Sequence, residues 1–368
     1  MKIDRIETIP LVVPLGRTFK GSRYSMSHRA TLVTRVFTDD GLVGETYNGD
    51  EVHTQHEIAR IATEELLPLV EGRDPLLVEA AWEAMLPVTF DILRDRRLVI
   101  MAMAAIDSAL WDIVGKAAGL PLHQLWGGYT DDLPIVAIGG YYELTPAQLA
   151  AEVEDYLERG IGGCKMKVGG ASPEQDAERF LAMRAAGGDD FVLMADANQG
   201  YTVAEALDFC RRIDGAGMRW FEEPVRWDNA RLGMRDVRYM AGVPVAAGQS
   251  EVGRADARDL MASGAIDVCN FDASWSGGPT EWRRVAGLAA AYGVAMAHHE
   301  EPQISAQLLA SVAHGTYVEC FHPDRDPVFW NLIANRSEPR AGRYRVPGGP
   351  GWGIELDAAY IERYRVDR

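Results

Sequence analysis

Short apolar runs alternate with longer amphipathic segments through the middle of the chain. Eight such runs have a β-rich composition: residues 134–142, 163–169, 191–198, 219–224, 243–251, 267–272, 293–299 and 316–321. Two of the segments between them begin with Thr, at Thr145 and Thr202, and end in Gly, which is typical of helix starts and stops. Alternating strands and helices indicate parallel βαβ units, and eight of them predict a closed α/β barrel. A solenoid is the alternative, but the intervening segments share no repeated motif.

The regions on either side of these runs differ from them. Residues 1–125 predict an α+β domain, with strands, a hairpin turn at Asp40-Gly41 and then helices. The last part of the chain is rich in Pro, Gly and Arg, and we expect it to return to the first domain. The chain is therefore divided into an N-terminal domain (1–125), a barrel (126–325) and a C-terminal segment (326–368).

Composition excludes several classes of partner. The formal net charge of -17 and pI near 4.9 leave no basic excess for nucleic acid. No apolar run approaches the ~20 residues that span a bilayer, and we expect no secretion signal at the N-terminus. The four cysteines form no CxxC pair, so buried reduced thiols and a cytoplasmic location are expected.

Ionisable or amide side chains end seven consecutive strands. In such barrels the active site lies at the C-terminal ends of the strands. The strand-end groups are Lys165, Lys167, Asp196, Asn198, Glu222, Glu223, Gln249, Glu251, Asp272, His298, His299 and Glu319. Solvation explains one such strand end more easily than seven, so we expect these side chains to converge on one site.

Two lysines lie one residue apart in GCKMKVGG. Strand alternation puts Lys165 and Lys167 on one face and Cys164, Met166 and Val168 on the other. Neighbouring ammonium groups repel, which predicts a lowered pKa for each lysine. A solvated strand edge is the alternative.

Three carboxylates from adjacent strands, Asp196, Glu222 and Glu251, form an oxygen cage that suits Mg²⁺. Lysines on one side of it and a histidine on the other fit removal of a proton next to a carboxylate. A divalent ion would stabilise the enediolate, and lysine or histidine would act as base. A salt bridge at the barrel rim is the alternative for Glu222.

The motifs KMK, ADAN, FEEP and ECF, with strand-end Asp272 and His299, resemble the mandelate racemase subgroup of the enolase superfamily. The resemblance covers nearly the whole chain, down to GPGWGIELD, and includes the acid sugar dehydratases. It implies a modified (β/α)₇β TIM barrel, an α+β capping domain completed by the C-terminal tail, and Mg²⁺ as cofactor.

The resemblance also implies roles for the lysine side of the site. Lys167 resembles the base on one face of the substrate. Lys165 resembles the neighbour that lowers its pKa and touches the substrate carboxylate. Asp196 and Glu222 resemble metal ligands, and Asn198 a polar group near the substrate carboxylate.

On the opposite face, His299 resembles the acid or base and Asp272 the carboxylate that orients it. Glu319 resembles an acid that donates a hydrogen bond to the substrate carboxylate. His298 competes with His299, but adjacent strand residues face opposite ways, so only one enters the site. The spacing to residues 304–306 favours His299.

Two features depart from the family pattern. The third metal ligand usually follows the fifth-strand glycine directly, where this chain has Gln249. If the strand continues, Glu251 faces the same side and is the preferred ligand, with Gln249 as the alternative. Glu300 and Glu301 add negative charge after His299; they point to solvent or recognise a substrate hydroxyl.

The sequence favours dehydration of an aldonic or aldaric acid to a 2-keto-3-deoxy acid. Racemisation or epimerisation of a 2-hydroxy acid and lactone cycloisomerisation are alternatives, as are a Schiff-base lyase and a non-catalytic descendant of the fold. Loops 17–25 and 48–53 offer Lys20, Tyr24 and His53 for the substrate tail. We expect a small carboxylate substrate, no nucleic-acid or membrane partner, and a homo-oligomer.

Overall fold

The N-terminal region pairs an antiparallel sheet with one long helix. The computed structural model describes residues 1–49 and 52–366. Its first three strands are β1 (Ile3–Lys20), β2 (Ser25–Thr38) and β3 (Val43–Asn48), paired in that order. Gly41, with φ of 90°, lies in the β2–β3 turn, which confirms the predicted hairpin. The helices are α1 (Gln55–Arg60), continued by a π-helical turn (Ile61–Leu66), α2 (Leu67–Val70), α3 (Val78–Met85), a 3₁₀ turn (Leu86–Phe90), α4 (Arg96–Ala118) and α5 (Leu122–Leu125).

Helix α4 is the apolar centre of this region. It begins at Asp95, which accepts a hydrogen bond from the Arg97 N–H, and ends at the left-handed Gly119. Its 23 residues are long and apolar enough to cross a membrane, so the expectation that no run approaches this length was wrong. The core helix of a soluble protein passes the same test, and 78% of its most apolar window is buried. The helix is therefore weak support for a membrane span.

The eight predicted barrel strands form one parallel sheet. They are β4 (Asp132–Gly139), β5 (Gly163–Lys167), β6 (Val192–Asp196), β7 (Met218–Glu222), β8 (Val245–Ala247), β9 (Val268–Asn270), β10 (Ala295–Ala297) and β11 (Val318–Phe321). The strand order is β10-β9-β8-β7-β6-β5-β4-β11. A single bridge between Met296 and Gly315 links β10 to the segment before β11, so the barrel is nearly closed. The predicted capped, modified TIM barrel is confirmed.

Helices cover the outside of the barrel. They are α6 (Pro146–Glu158), α7 (Pro173–Gly187), α8 (Val203–Arg212), a 3₁₀ turn (Trp227–Asn229), α9 (Ala230–Ala241), α10 (Arg254–Ala262), α11 (Gly278–Tyr292) and α12 (Pro302–Leu309). Capping boxes at Thr145, Ser172 and Thr202 start α6, α7 and α8. The predicted helix starts at Thr145 and Thr202 are therefore confirmed.

Inward-facing apolar side chains of the strands fill the barrel interior, and polar side chains lie at the C-terminal ends of the strands. One small buried cluster lies inside the barrel: Val136, Met194, Trp220, Ala246, Val268 and Ala297. The outward-facing residues pack in a larger core beneath the helices. Because this apolar cluster occupies the barrel interior, the polar side chains at the strand ends gather at one end of the barrel.

The C-terminal segment contacts both regions. It contains α13 (Pro327–Leu332), β12 (Arg343–Arg345) and α14 (Ala358–Tyr364). Strand β12 pairs antiparallel with β4, while the Trp352 indole donates a hydrogen bond to the Ser108 carbonyl of α4 at 2.9 Å. The Val366 N–H donates to the Pro10 carbonyl at 3.0 Å. We propose that the domain boundaries lie near residues 125 and 325.

Candidate active site

The two lysines of β5 point into the barrel. Cys164 and Met166 pack outward in the main core, whereas the exposed fractions of Lys165 and Lys167 are 0% and 4%. Alternation along the strand was therefore predicted correctly, and the alternative of a solvated edge is wrong. Each ammonium group is removed from water and needs partners inside the barrel.

Carboxylates on other barrel strands are the main partners. The Lys165 Nζ lies 2.7 Å from Glu222 Oε1 and 2.6 Å from Glu319 Oε1. The Lys167 Nζ lies 2.7 Å from Asp196 Oδ2 and 3.0 Å from Asn198 Oδ1. The strand register aligns Lys167 with Asp196, and Asp196 with Glu222, so these groups form one row across the sheet.

These ion pairs reverse the predicted direction of the lysine pKa shifts. Burial lowers the pKa of Lys165, but the Glu222 and Glu319 carboxylates outweigh it and raise that pKa above its usual range. Burial likewise lowers the pKa of Lys167, and Asp196 outweighs it. The prediction from lysine repulsion was wrong because each lysine has a carboxylate in direct contact.

Within the described residues, the buried oxygens around this row that accept no hydrogen bond include Glu222 Oε2, Gln249 Oε1 and Asn270 Oδ1. The Asn270 amide instead donates to Glu222 Oε1 at 3.0 Å. Burial raises the pKa of Glu222 to about 7, although Lys165 opposes it. For Asp196 the two lysines outweigh burial and lower the pKa. The arrangement leaves buried acceptor oxygens that a cation could use.

The segment after β8 does not follow the sequence expectation. The strand ends at Ala247, and a turn follows in which Gly248 has φ of 144° and the Glu251 N–H donates to the Gly248 carbonyl at 3.1 Å. Gln249 therefore lines the cavity above the row, while the Glu251 carboxylate lies 3.5 Å from Arg231. The assumption of a continued strand was wrong, and the structure does not bring Glu251 into the row.

Within residues 1–49 and 52–366, no three His, Cys, Asp or Glu side chains converge on one possible metal position. The row itself offers two carboxylates, from Asp196 and Glu222, and Gln249 follows the adjacent strand β8 and lines the cavity. Oxygen donors of this kind suit a hard divalent cation better than a soft one.

The histidine side lies across the cavity. The His299 Nδ1 is 2.9 Å from Asp272 Oδ2, and its Nε2 is 3.3 Å from Glu300 Oε1. His298 is fully buried, and its Nε2 accepts a hydrogen bond from the Ala273 N–H at 3.0 Å. His299 lines the cavity and His298 does not. The Trp275 ring lies beside His299, with ring centroids 5.1 Å apart.

The cavity between the two sides has a volume of about 350 Å³. It is lined by Tyr24, Met26, Lys167, Asn198, Gln199, Glu223, Gln249, Ser250, Trp275, His299, Glu300 and Arg325. Of the three predicted tail-binding residues, Tyr24 lines it, with Lys167 Nζ 5.8 Å from its ring, while Lys20 and His53 are exposed and lie outside. Residues 50 and 51 of the predicted 48–53 loop fall outside the described residues.

A second cavity of about 390 Å³ lies beside the first. The two share Gln199, Glu223 and Ser250, and the second also contains Glu251. Ser250 Oγ donates to Glu223 Oε1 at 2.7 Å, so this pair forms part of the wall between the cavities.

Sequence reasoning missed several residues at the site. Asn270 lies two residues before Asp272 in the sixth run, so alternation along that strand could have found it. Arg325 carried no comparable signal, because it lies in the loop after the last barrel strand. Arg29, which reaches the site from β2, carried none either.

Comparison with known proteins shows the family to which this chain belongs. Residues 6–127 match the model of the mandelate racemase/muconate lactonizing enzyme N-terminal domain. Residues 148–360 match the model described as enolase C-terminal domain-like. The chain belongs to the mandelate racemase/muconate lactonizing enzyme family. The resemblance to the enolase superfamily is thereby confirmed.

Curated relatives in this family differ in their reactions. The chain is 29% identical to an arabinonate dehydratase of Saccharolobus solfataricus, covering 91% of this chain and 90% of the relative. It is 31% identical to a 3,6-anhydro-alpha-L-galactonate cycloisomerase of Streptomyces coelicolor, covering 99% of each. The chain is thus related to enzymes, both lyases and isomerases.

Solved structures of the family agree with the fold. One mandelate racemase/muconate lactonizing enzyme is 55% identical, covers both chains completely and gives a TM-score of 0.97. Another, from a marine actinobacterium in complex with magnesium, is 54% identical, covers 100% of this chain and 99% of that chain, and gives 0.94.

Proposed function

We propose that this protein removes the proton next to the carboxylate of a sugar acid, with Mg²⁺ as cofactor, and then eliminates water to give a 2-keto-3-deoxy acid. The observation that carries the proposal is the opposition of Lys167 and His299 across one cavity. One side offers an amine and the other an imidazole, and both are largely withdrawn from water. Groups on opposite faces of a substrate can act on two of its bonds.

The residues present fit a divalent cation. Asp196 and Glu222 would supply carboxylate oxygens and Gln249 an amide oxygen, and the buried oxygens Glu222 Oε2 and Gln249 Oε1 accept no hydrogen bond from the part of the chain that the structure describes. The solved relative that is 54% identical was crystallised with magnesium. When bound, Mg²⁺ would neutralise the charge that develops on the substrate carboxylate.

The protein's own groups would carry the proton transfers. The contact with Asp196 raises the pKa of Lys167, so the neutral amine would form once Asp196 binds a cation instead. Lys167 Nζ then accepts the α-proton, and the C–H electron pair becomes the α,β double bond as the β-hydroxyl leaves. His299 Nε2 donates a proton to that hydroxyl, which departs as water. The resulting enol tautomerises to the 2-keto acid. Lys165 lies deeper, paired with Glu222 and Glu319, where its charge would compensate negative charge that develops on the substrate carboxylate.

Lactone cycloisomerisation is the second candidate. It is favoured by the 31% identity to a cycloisomerase over nearly the whole of both chains. The same lysine and histidine would remove a proton on one face and assist bond cleavage or protonation on the other. Simple racemisation needs both groups to alternate as acid and base.

Proton NMR in D₂O with pooled sugar acids and Mg²⁺, repeated with EDTA, tests the proposal. We expect metal-dependent loss of an α-proton signal and a new 3-deoxy methylene signal. A new signal set without a keto acid, from a lactone or anhydro acid, would support cycloisomerisation. α-Exchange alone would indicate a racemase or epimerase.

No reaction across a broad pool, together with no saturable Mg²⁺ binding by calorimetry, would contradict catalysis and favour a non-catalytic descendant. Turnover that survives EDTA and is trapped by borohydride would indicate a Schiff-base lyase instead. The same preparations with Lys167→Met supply the matched background.

A further inference from the structure

Glu300 and Glu301 follow His299 in consecutive left-handed backbone conformations, with φ of 55° and 48°. Such conformations are strained for residues other than glycine and persist where the surroundings enforce them. Of the two alternatives for these glutamates, pointing to solvent is wrong, since both are buried. The strain implies that their carboxylates are held in particular places.

The capping region fixes the Glu300 carboxylate. Its Oε2 lies 3.0 Å from the Nη1 of Arg29, a residue of β2 that is 1% exposed. The Arg29 Nε donates in turn to Asp326 Oδ1 at 3.0 Å. With one oxygen anchored on Arg29, the other, Oε1, faces the His299 ring.

The imidazole of His299 therefore lies between two carboxylates. Its Nδ1 is 2.9 Å from Asp272 Oδ2, and its Nε2 is 3.3 Å from Glu300 Oε1. A neutral imidazole carries one N–H and can donate to only one of them. An imidazolium donates to both, so the arrangement is satisfied by the doubly protonated ring.

The other charges around the ring do not alter this conclusion. The charged or titratable groups that interact with it include Lys165, Glu223, Asp272, His298 and Glu300, and Lys167 and Arg325 line the same cavity. Burial lowers the pKa of His299, but Glu300 and Asp272 outweigh burial and Lys165, and the pKa is about 9. Burial raises the pKa of Glu300, yet Arg29 and His299 outweigh it and hold the pKa near 2.

His298 shows the opposite state one residue away. Its Nε2 accepts the Ala273 N–H at 3.0 Å, which requires an unprotonated nitrogen. Burial lowers the pKa of His298. The charge on His299 thus follows from its two carboxylates and not from its place in the chain.

We propose that Glu300 is a positioning residue that, together with Asp272, holds His299 as an imidazolium acid facing the cavity. The 3.3 Å contact is longer than the about 2.7–2.9 Å of a strong charge-assisted bond, which leaves the Nε2 proton available to a substrate hydroxyl. Resting on the proposed function, the imidazolium state of His299 favours expulsion of a substrate hydroxyl over abstraction of a proton from the substrate face next to His299.

Nitrogen NMR of the Mg²⁺-loaded protein labelled with ¹⁵N-histidine tests the proposal without substrate. Eight histidines are present, and His299→Asn identifies the signals of His299. We expect both ring nitrogens of His299 to be protonated at pH 7.5. The change Glu300→Gln should lower the midpoint of its titration by about 1 to 3 pH units.

The matched control is Glu301→Gln, which removes a carboxyl group one residue further along. Glu301 accepts hydrogen bonds from the Gly49 N–H and Ser274 Oγ. We expect a smaller shift of the His299 midpoint in this variant. Equal shifts in the two variants would overturn the proposal, and so would a neutral His299 at pH 7.5 in the unaltered protein, a result that needs no variant to fold.

Turnover separates this proposal from the proposed function. With an identified substrate in D₂O, Glu300→Gln should keep lysine-dependent α-exchange while the ratio of elimination to exchange falls about tenfold or more. An imidazolium at His299 with no sugar acid turned over would support the role of Glu300 and contradict the dehydratase assignment. Turnover of a sugar acid by a protein with a neutral His299 would support the dehydratase assignment and contradict the role of Glu300.

Discussion

The lysine side and the histidine side of the cavity are built by different means. Lys165 and Lys167 stand on one strand, and their partners Asp196 and Glu222 occupy aligned positions on the next two. His299 follows the last residue of β10 by two positions, and its partner Glu300 sits on left-handed backbone. Strand register fixes the first side, whereas loop conformation and a distant arginine fix the second.

The difference lies in what each side requires from the rest of the molecule. Lys165, Lys167, Asp196 and Glu222 form the lysine row. This row forms wherever the barrel forms, because parallel register places neighbouring side chains about 4.8 Å apart. The histidine side also needs β2 of the capping region, which supplies Arg29. We therefore expect changes in the capping region to affect the acid on the histidine side more than the base on the lysine side.

The largest effect should come from removing the amine on the lysine side. We expect Lys167→Met to abolish metal-dependent α-proton exchange and to reduce turnover by about 10²- to 10⁴-fold, the usual contribution of a general base. The measurement is α-proton loss in D₂O with an identified sugar acid. Lys20→Met is the control, because Lys20 is exposed and lies outside the cavity. An equal loss in both variants would contradict a role for Lys167.

The histidine side predicts a pH dependence of stability. Burial lowers the pKa of His299 and its carboxylates raise it, from the usual 6.5 to about 9. A raised pKa contributes stability that is fully present below about pH 6.5 and is lost as the pH rises to about 9. We expect the difference in unfolding free energy between the unaltered protein and His299→Asn to shrink by about 3 kcal/mol over this range.

Urea unfolding from pH 6 to 10 measures that difference. Subtracting the variant removes the contributions of other groups that titrate in the same window, such as Glu301, whose burial raises its pKa to about 8. A difference that stays constant with pH would mean that His299 has an ordinary pKa, and the contrast between the two sides would lose its electrostatic basis.

The affinity for Mg²⁺ tests whether Gln249, at the edge of the lysine row, is a metal ligand. Gln249→Leu removes the amide oxygen and should weaken Mg²⁺ binding by at least the about 10- to 100-fold that loss of an outer-shell partner costs. Gln249→Glu should tighten it, because a third carboxylate joins Asp196 and Glu222. Calorimetry with Mg²⁺ measures both variants. Glu251→Gln is the control, and a larger effect there would return Glu251 to the role expected from the sequence.

Alternation and strand order were sufficient to predict the lysine row from the sequence. All eight barrel strands, the inward direction of Lys165 and Lys167 and the alignment of Lys167 with Asp196 depend on local periodicity and parallel register. These rules act over a few residues, and the sequence displays them directly.

The same rules failed where the strands end. Glu251 was misplaced because a turn at Gly248 replaces the continued strand. The lysine pKa shifts were predicted with the wrong sign, since the partner carboxylates lie on other strands at distances that the sequence does not give. The contact between Arg29 and Glu300 joins positions 271 residues apart, and no pattern in the chain announces it.

The smallest effect should come from the capping residue that reaches the cavity. Tyr24 lies over the lysine side, with Lys167 Nζ 5.8 Å from its ring. We expect Tyr24→Phe to raise KM by about 2- to 10-fold, the value of one hydrogen bond to the substrate, with little change in kcat. His53→Ala is the control because His53 is exposed and does not line the cavity. A fall in kcat at unchanged KM would instead place Tyr24 in the chemistry of the lysine side, and the capping region would then serve both faces.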